Sequence, residues 1–372
     1  HPVRRAPPGA RGADVSGAPI TKPELLAAIE RGQTIADVDA SGLDLDGANL
    51  AGAVFEGVSF RGASLVGATL QESVLTSCVL DDAVLDDAEL RHVTMDRCQL
   101  AGTRLRRARG AVAKLNACAI SGADFASSTL PLALFTECSF DGASFAAATL
   151  QRTCFLQAKL AKGLDFSGAE LEHTVLLELD LRDAVWTGAL LRGAVLVKSD
   201  LSEADLAGTD LTLCQFTEAR LVGADLTGAT IARCGFKGAD LTAAKLARVR
   251  GKNALFVEAK LNEVRAEGAT LTQALFVDAE LEGAVLSGCA LDQAIFHRAK
   301  CIRTSFVGSD LTYADFSHAD LTHADLSRAK LFRARLHRTR EDHTTFTGRA
   351  TALGTEEIEA EAETWDEDAH VS

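Results

Sequence analysis

The chain has 372 residues, 47% of them apolar, and a formal net charge of −14. That apolar share supports a buried core and excludes a wholly disordered chain, while the acidic sum argues against a nucleic-acid-binding surface. No apolar run approaches the ~20 residues of a membrane span, and no signal peptide is visible. The chain begins at His1 rather than Met, the mark of processing or of a longer parent.

Residues 1–20 hold four of the six prolines and read as a disordered linker. Residues 21–42 follow as a capping helix and lead-in segment. Thr21 with Glu24 three residues on is a capping box, and Pro23 sits in the first turn, where its missing N–H is tolerated. Leu25, Leu26 and Ile29 form one apolar face, and Gly32 stops the helix. Such a helix is expected to cover the open end of a solenoid.

From Leu45 an apolar residue falls on every fifth position. Between Leu45 and Leu160, only Gly110 of 24 such positions lacks an apolar side chain. Five matches neither the 3.6 period of a helix nor the 2 of a strand. Two residues before each central residue lies a small one, as at Ala48, Ala53, Ala63, Ala68, Ser73 and Cys78. The unit reads A-[DN]-L-x-G, as in Ala48-Asn49-Leu50-Ala51-Gly52. Phe216, Phe236, Phe256, Phe276, Phe296 and Phe316 recur at intervals of twenty, so four units make one coil and the rings stack as an internal ladder.

One extra residue enters near 161–165, after which the beat resumes from Phe166 to Leu336 with Gly251, Ala266 and Cys301 as weak positions. A single inserted residue is expected to bulge the strand, with Trp186, one coil later, filling the space it opens. The repeat region, 43–340, predicts about fifteen coils, roughly 70 Å at ~4.8 Å per coil. The beat fails at Glu341, and 341–372 reads as an acidic tail in which 356–368 carries eight acidic groups and no basic one. That run is expected to fold back on the basic coils holding Arg328, Lys330, Arg333, Arg335, Arg338 and Arg340.

Tandem A-[DN]-L-x-x units over about 43–340 resemble the pentapeptide-repeat family. The resemblance implies an all-β solenoid, a right-handed quadrilateral β-helix in which the central residue and the small residue two before it point inward. The N-terminal helix followed by the segment Ala40 to Leu50 also resembles the repeat region attached to some bacterial type VI secretion accessory proteins. An accessory or adaptor role in a bacterial secretion system is what that second resemblance implies.

Seven of the nine cysteines (Cys78, Cys98, Cys118, Cys138, Cys214, Cys234 and Cys289) occupy the small inward slot. They read as buried apolar substitutes for Ala, and reduced thiols imply a cytoplasmic setting. The histidines are scattered. His318 and His323 sit on different sides of a coil with no carboxylate at ligand spacing, and read as surface residues. No phosphate loop, zinc-protease motif or nucleophile elbow is present, and a filled tube offers an enzyme no pocket. The chain therefore reads as a non-enzyme without catalytic, cofactor or metal sites.

One outward column alternates in sign: Asp200, Arg220, Asp240, Lys260, Glu280, Lys300, Asp320, Arg340. Some pentapeptide-repeat proteins mimic DNA with a continuous acidic surface and so inhibit a topoisomerase, gyrase. That function is the alternative here, and the alternating column departs from its pattern. A second outward feature flanks the Phe ladder: Leu255 and Val257, Leu275 and Val277, and Ile295, preceded on the same side by Val175, Leu177, Val195 and Val197. Contiguous exposed apolar area marks a partner surface. The sequence thus predicts a rigid, non-enzymatic scaffold that binds another protein there, without contacting nucleic acid directly or spanning a membrane, and leaves a homodimer open.

Overall fold

Each five-residue unit is one short edge and one corner. At Leu45 to Ala48, the Ala48 N–H donates back to the Leu45 carbonyl at 3.0 Å, and Gly47 at the second corner position has φ of 63°. These are the marks of a type II turn. Asp44 accepts the Asp46 N–H at 3.0 Å, and Asn49 accepts that of Ala51 at 3.2 Å. The Asp or Asn of the motif therefore braces the corner through an Asx turn. Leu45 and Ala48 are buried while Asp46 and Gly47 face out. Four corners bring the chain back under itself. The Leu45 N–H donates to the Ser64 carbonyl at 2.7 Å, and the Ser64 N–H to the Leu43 carbonyl at 2.9 Å. The result is a right-handed quadrilateral β-helix.

The computed structural model describes residues 17–158 and 161–364. Most of the segment expected to be a linker, Leu160 of the beat, and the acidic residues from Asp366 on lie outside the described residues. The chain divides into two compact units, His1–Phe145 and Ala146–Ser372.

In the first unit, helix α1 spans Lys22–Glu30. The Glu24 carboxylate accepts the Thr21 N–H at 2.9 Å and its hydroxyl at 2.6 Å. Leu25 is fully buried, Leu26 and Ile29 are half-buried, and Gly32 ends the helix with φ of 65°. Short parallel strands then stack in strict register: Phe55 on Leu75, Leu75 on Met95, Met95 on Leu115, and Leu115 on Phe135. The corner slot is left-handed whether or not Gly fills it, as at Glu72 (φ 59°), Asp82 (φ 58°) and Leu132 (φ 59°). Non-Gly residues enter that region sparingly, so the repeat imposes a local conformation that most of these side chains would not choose.

In the second unit, Thr149 pairs with Glu170 and Cys154 with Val175, 21 residues apart, whereas Asp165 pairs with Val185, 20 apart. The extra residue is thus absorbed within one coil. Trp186 is buried and stacks on Phe166 at 5.1 Å between centroids, with its Nε1 lacking a hydrogen-bond partner among the described residues. The six rings from Phe216 to Phe316 stack at 4.6–5.0 Å with interplanar angles of 8° or less. That spacing is the ~4.7–4.9 Å of adjacent strands, so the ladder copies the backbone repeat.

The register runs further than the apolar beat. Asp325–Leu326 pairs with Thr345–Phe346, and Arg335 with Leu353, so the coil continues past Glu341. Backbone pairing supplies what the missing apolar residue at 341 does not. A short helix α2, Glu357–Glu363, follows.

Candidate interaction face

The five-residue period puts the central residue inside and its two neighbours outside. Leu255, Leu275 and Ile295 precede Phe256, Phe276 and Phe296, and stack on one another as successive parallel bridges. Leu255 is 39% exposed, and Leu275, Ile295, Val257 and Val277 are half-buried. Val175, Leu177, Val195 and Val197 are also half-buried, with Val175 bridged to Val195 on the same column. Between the two groups the column passes through Gln215 and Gly235. The Gln215 carboxamide lies over Gly235, so close that a Cβ there would stand 2.4 Å from its Oε1. A polar band therefore separates the aliphatic stretches.

Past Ile295 the column turns charged: Asp315, Arg335, then Leu353. Here α2 lies against the coils. The Arg335 guanidinium pairs with Glu359, Arg338 donates to the Ala360 carbonyl, and Arg338 Nε stands 3.3 Å from Glu363 Oε2. The Glu359 carboxylate beside Arg335 raises its pKa above the ordinary guanidinium value. His337, fully buried, accepts the Glu356 N–H at Nδ1 (3.3 Å) and meets Glu363 Oε2 through Nε2 (3.4 Å). His318 Nε2 reaches Glu363 Oε1 at 3.2 Å. Desolvation acts to raise the Glu363 pKa, and hydrogen bonds from His337 and His318 outweigh it, so the group titrates below its ordinary value.

This corrects the sequence reading of His318 as a surface residue without a carboxylate partner. Glu363 is 45 residues away and arrives on a helix with no place in the five-residue beat. Spacing motifs do not register such a partner. His337, Glu359 and Glu363 were missed for the same reason. The one available signal was the acidic run opposite the basic coils.

On a neighbouring face the charged column bridges in order from Asp200 to Arg340. Within it Arg220 lies 3.7 Å from Asp200, Lys300 2.9 Å from Glu280 and Arg340 3.2 Å from Asp320. The Lys300 ammonium holds the Glu280 carboxyl below its ordinary pKa. Arg298 grips Asp278 with two bonds of 2.7 Å and lowers its pKa likewise. All nine cysteines are unpaired, and Cys154 alone is not buried. Burial pushes the Cys214 thiol up to about 12 and that of Cys289 up to about 11.

The family model for pentapeptide repeats (8 copies) matches segments spanning residues 36–107, 118–160, 176–231 and 234–348. The chain belongs to the pentapeptide-repeat family. Among solved pentapeptide-repeat structures, a trypsin-treated form of QnrB1, a plasmid-mediated fluoroquinolone resistance protein, is 20% identical. It aligns over 49% of this chain and 91% of that one, with a TM-score of 0.36. HetL, involved in heterocyst differentiation regulation in the cyanobacterium Nostoc sp. strain PCC 7120, is also 20% identical. It aligns over 85% of this chain and 96% of that one, with a TM-score of 0.19. No match was found among curated proteins. The segment from Ala40 to Leu50, which carries the resemblance to secretion accessory proteins, forms corners of a kind that recurs along the described coils and adds nothing to that reading. Among the described residues no helix is long and apolar enough to cross a membrane.

Proposed function

We propose that this pentapeptide-repeat chain is a non-catalytic scaffold that holds another protein against the column of Leu255, Leu275 and Ile295. The observation that carries the reading is the register: three branched aliphatic side chains stand outward on successive rungs, flanked by Val257 and Val277. Three rungs span about 10 Å at the strand spacing, a stripe that fits the apolar edge of a partner helix. The smaller stretch at Val175, Leu177, Val195 and Val197 serves as a second contact. Unpaired cysteines fit a reducing compartment and support a cytoplasmic setting for the scaffold.

The alternative, imitation of DNA toward gyrase, needs an unbroken acidic surface. The paired signs from Asp200 to Arg340 disfavour it. The experiment is the triple substitution Leu255→Lys, Leu275→Lys and Ile295→Lys, compared with wild type by circular dichroism and by affinity capture with light scattering of the complexes. The expected outcome is an unchanged fold and loss of the captured protein, a second copy of this chain included. Undiminished capture, or inhibition of gyrase supercoiling by wild type at stoichiometric ratio, sinks the reading.

A further inference from the structure

Where α2 meets the coils, His318, His337 and Glu363 offer ligand atoms that all lie within 4.8 Å of one another. We propose that these three side chains form a binding site for a first-row divalent cation of the zinc class, and that the ion fastens α2 to the solenoid. The site adjoins the aliphatic column at Ile295, but none of its donor atoms comes from that column.

Two imidazoles and one carboxylate are a donor set suited to Zn²⁺, which takes His nitrogen at ~2.0–2.1 Å and carboxylate oxygen at ~2.0–2.2 Å. Tetrahedral placement of such ligands sets their atoms roughly 3.3–3.5 Å apart. His318 Nε2 is 3.2 Å from Glu363 Oε1, and His337 Nε2 is 3.4 Å from Glu363 Oε2, so each imidazole already stands at ligand spacing from the carboxylate. The His318 and His337 rings meet edge to face, with centroids 5.5 Å apart. Three protein ligands leave the remaining position to water.

The ion displaces the Nε2 proton of both imidazoles, and each ring carries its proton on Nδ1 instead, so no net proton is released. The Glu356 N–H donates to His337 Nδ1, so Nε2 carries the ring proton and donates it to Glu363. When the ion takes the Nε2 lone pair, that proton is carried instead on Nδ1, facing Glu359 Oε2 at 3.8 Å. A carboxylate behind a ligating histidine is the usual support of such a site. The Glu356 N–H is released to solvent. The titratable groups lining the site are Glu359, Asp315 and Arg335, with Arg338 beside Glu363 and the His297 ring 5.4 Å from that of His318. Of these, Arg338 competes directly for Glu363 Oε2 at 3.3 Å. The hard cations Mg²⁺ and Ca²⁺ prefer all-oxygen ligands and do not substitute.

The test uses the untagged full chain. Zn²⁺ is titrated calorimetrically, Co²⁺ is bound for its visible spectrum, and hydrogen exchange over 356–364 is followed with and without Zn²⁺. The expected result is one tight Zn²⁺ site, a tetrahedral Co²⁺ spectrum, and slowed exchange across α2. His318→Ala and Glu363→Gln should each weaken Zn²⁺ binding about 100-fold or more, the upper end of what even an outer-shell partner costs. His323→Ala, on another corner, should leave it unchanged. Because His337 is buried, His318→Ala and Glu363→Gln carry the test, and circular dichroism confirms their fold. The proposal is overturned if Zn²⁺ binding is absent, if it persists in both variants, or if α2 exchange ignores the ion.

Discussion

Phe256 sits in the middle of the ring ladder, fully buried, with Phe236 at 4.9 Å and Phe276 at 5.0 Å. Phe256→Ala removes the ring from between two others that the backbone holds apart at the strand spacing. The walls have little freedom to collapse, so the loss is expected at about 3–5 kcal/mol. Phe256→Leu keeps most of the volume, and the same column accepts leucine at Leu176 and Leu196. Its loss is mainly the two stacked pairs, each about 0.5–1.5 kcal/mol. A double-mutant cycle of Phe256→Leu with Phe276→Leu should show coupling of about 0.5–1.5 kcal/mol, and one with Phe60→Leu should show coupling near zero. Urea unfolding followed by circular dichroism supplies the totals. Native-state hydrogen exchange then shows where opening begins, which should be the coils around 236–296, because each coil rests only on its neighbours. A loss below about 1.5 kcal/mol for Phe256→Ala, or equal coupling to Phe276 and Phe60, would falsify the reading of the ladder as a stacked core.

Other expectations follow from single contacts. Iodoacetamide under native conditions should label Cys154 and leave the eight buried thiols unmodified. Burial raises the Cys154 pKa as well, so the reaction should be slow near neutral pH, and labelling of Cys214 or Cys289 at a similar rate would contradict the structure. Arg298→Ala removes a two-bond but largely exposed pair with Asp278 and should change stability only slightly in a urea-unfolding comparison. Because the Asp278 pKa is lowered by Arg298, its contribution is present above the ordinary value of 3.8 and lost as pH falls through the folded one. Asp278→Asn should therefore flatten the acid limb of a stability–pH curve below about pH 4, and an unchanged limb would show that the pair does not contribute.

The repeat was legible because it is a packing rule written many times. Every fifth residue must fill the interior, and every twentieth must sit on its predecessor, so Phe216 to Phe316 announced both the coil and its register. The outward placement of Leu255, Leu275 and Ile295 came from the same count. The left-handed corner was visible only where Gly filled it. At Glu72, Leu132 and Tyr313 the backbone takes that shape because the hydrogen bonds of adjoining coils demand it, and no local preference advertises the fact. The end of the chain was legible in charge but not in contact. An acidic run and basic coils suggested an encounter, yet Glu363 meeting His318 depends on where a helix lands after the period has ended. Glu341 hid the extra half-turn, because Leu353 reaches Arg335 over 18 residues rather than 20.

The column from Asp200 to Arg340 changes sign at every rung, so its parity repeats only after two coils. In a stack of near-identical layers, the easiest folding error is for one layer to loop out while the next takes its place. Excluding the coil that carries Arg220 would seat Asp240 on Asp200, and every excluded odd layer sets like charges side by side, where they repel. Excluding two layers restores the match but strands forty residues outside the stack. The same arithmetic acts on the gene: duplication of a single coil inside this stretch is penalised, while duplication of a pair is not. An array built on a twenty-residue period thus carries a forty-residue checksum along one edge.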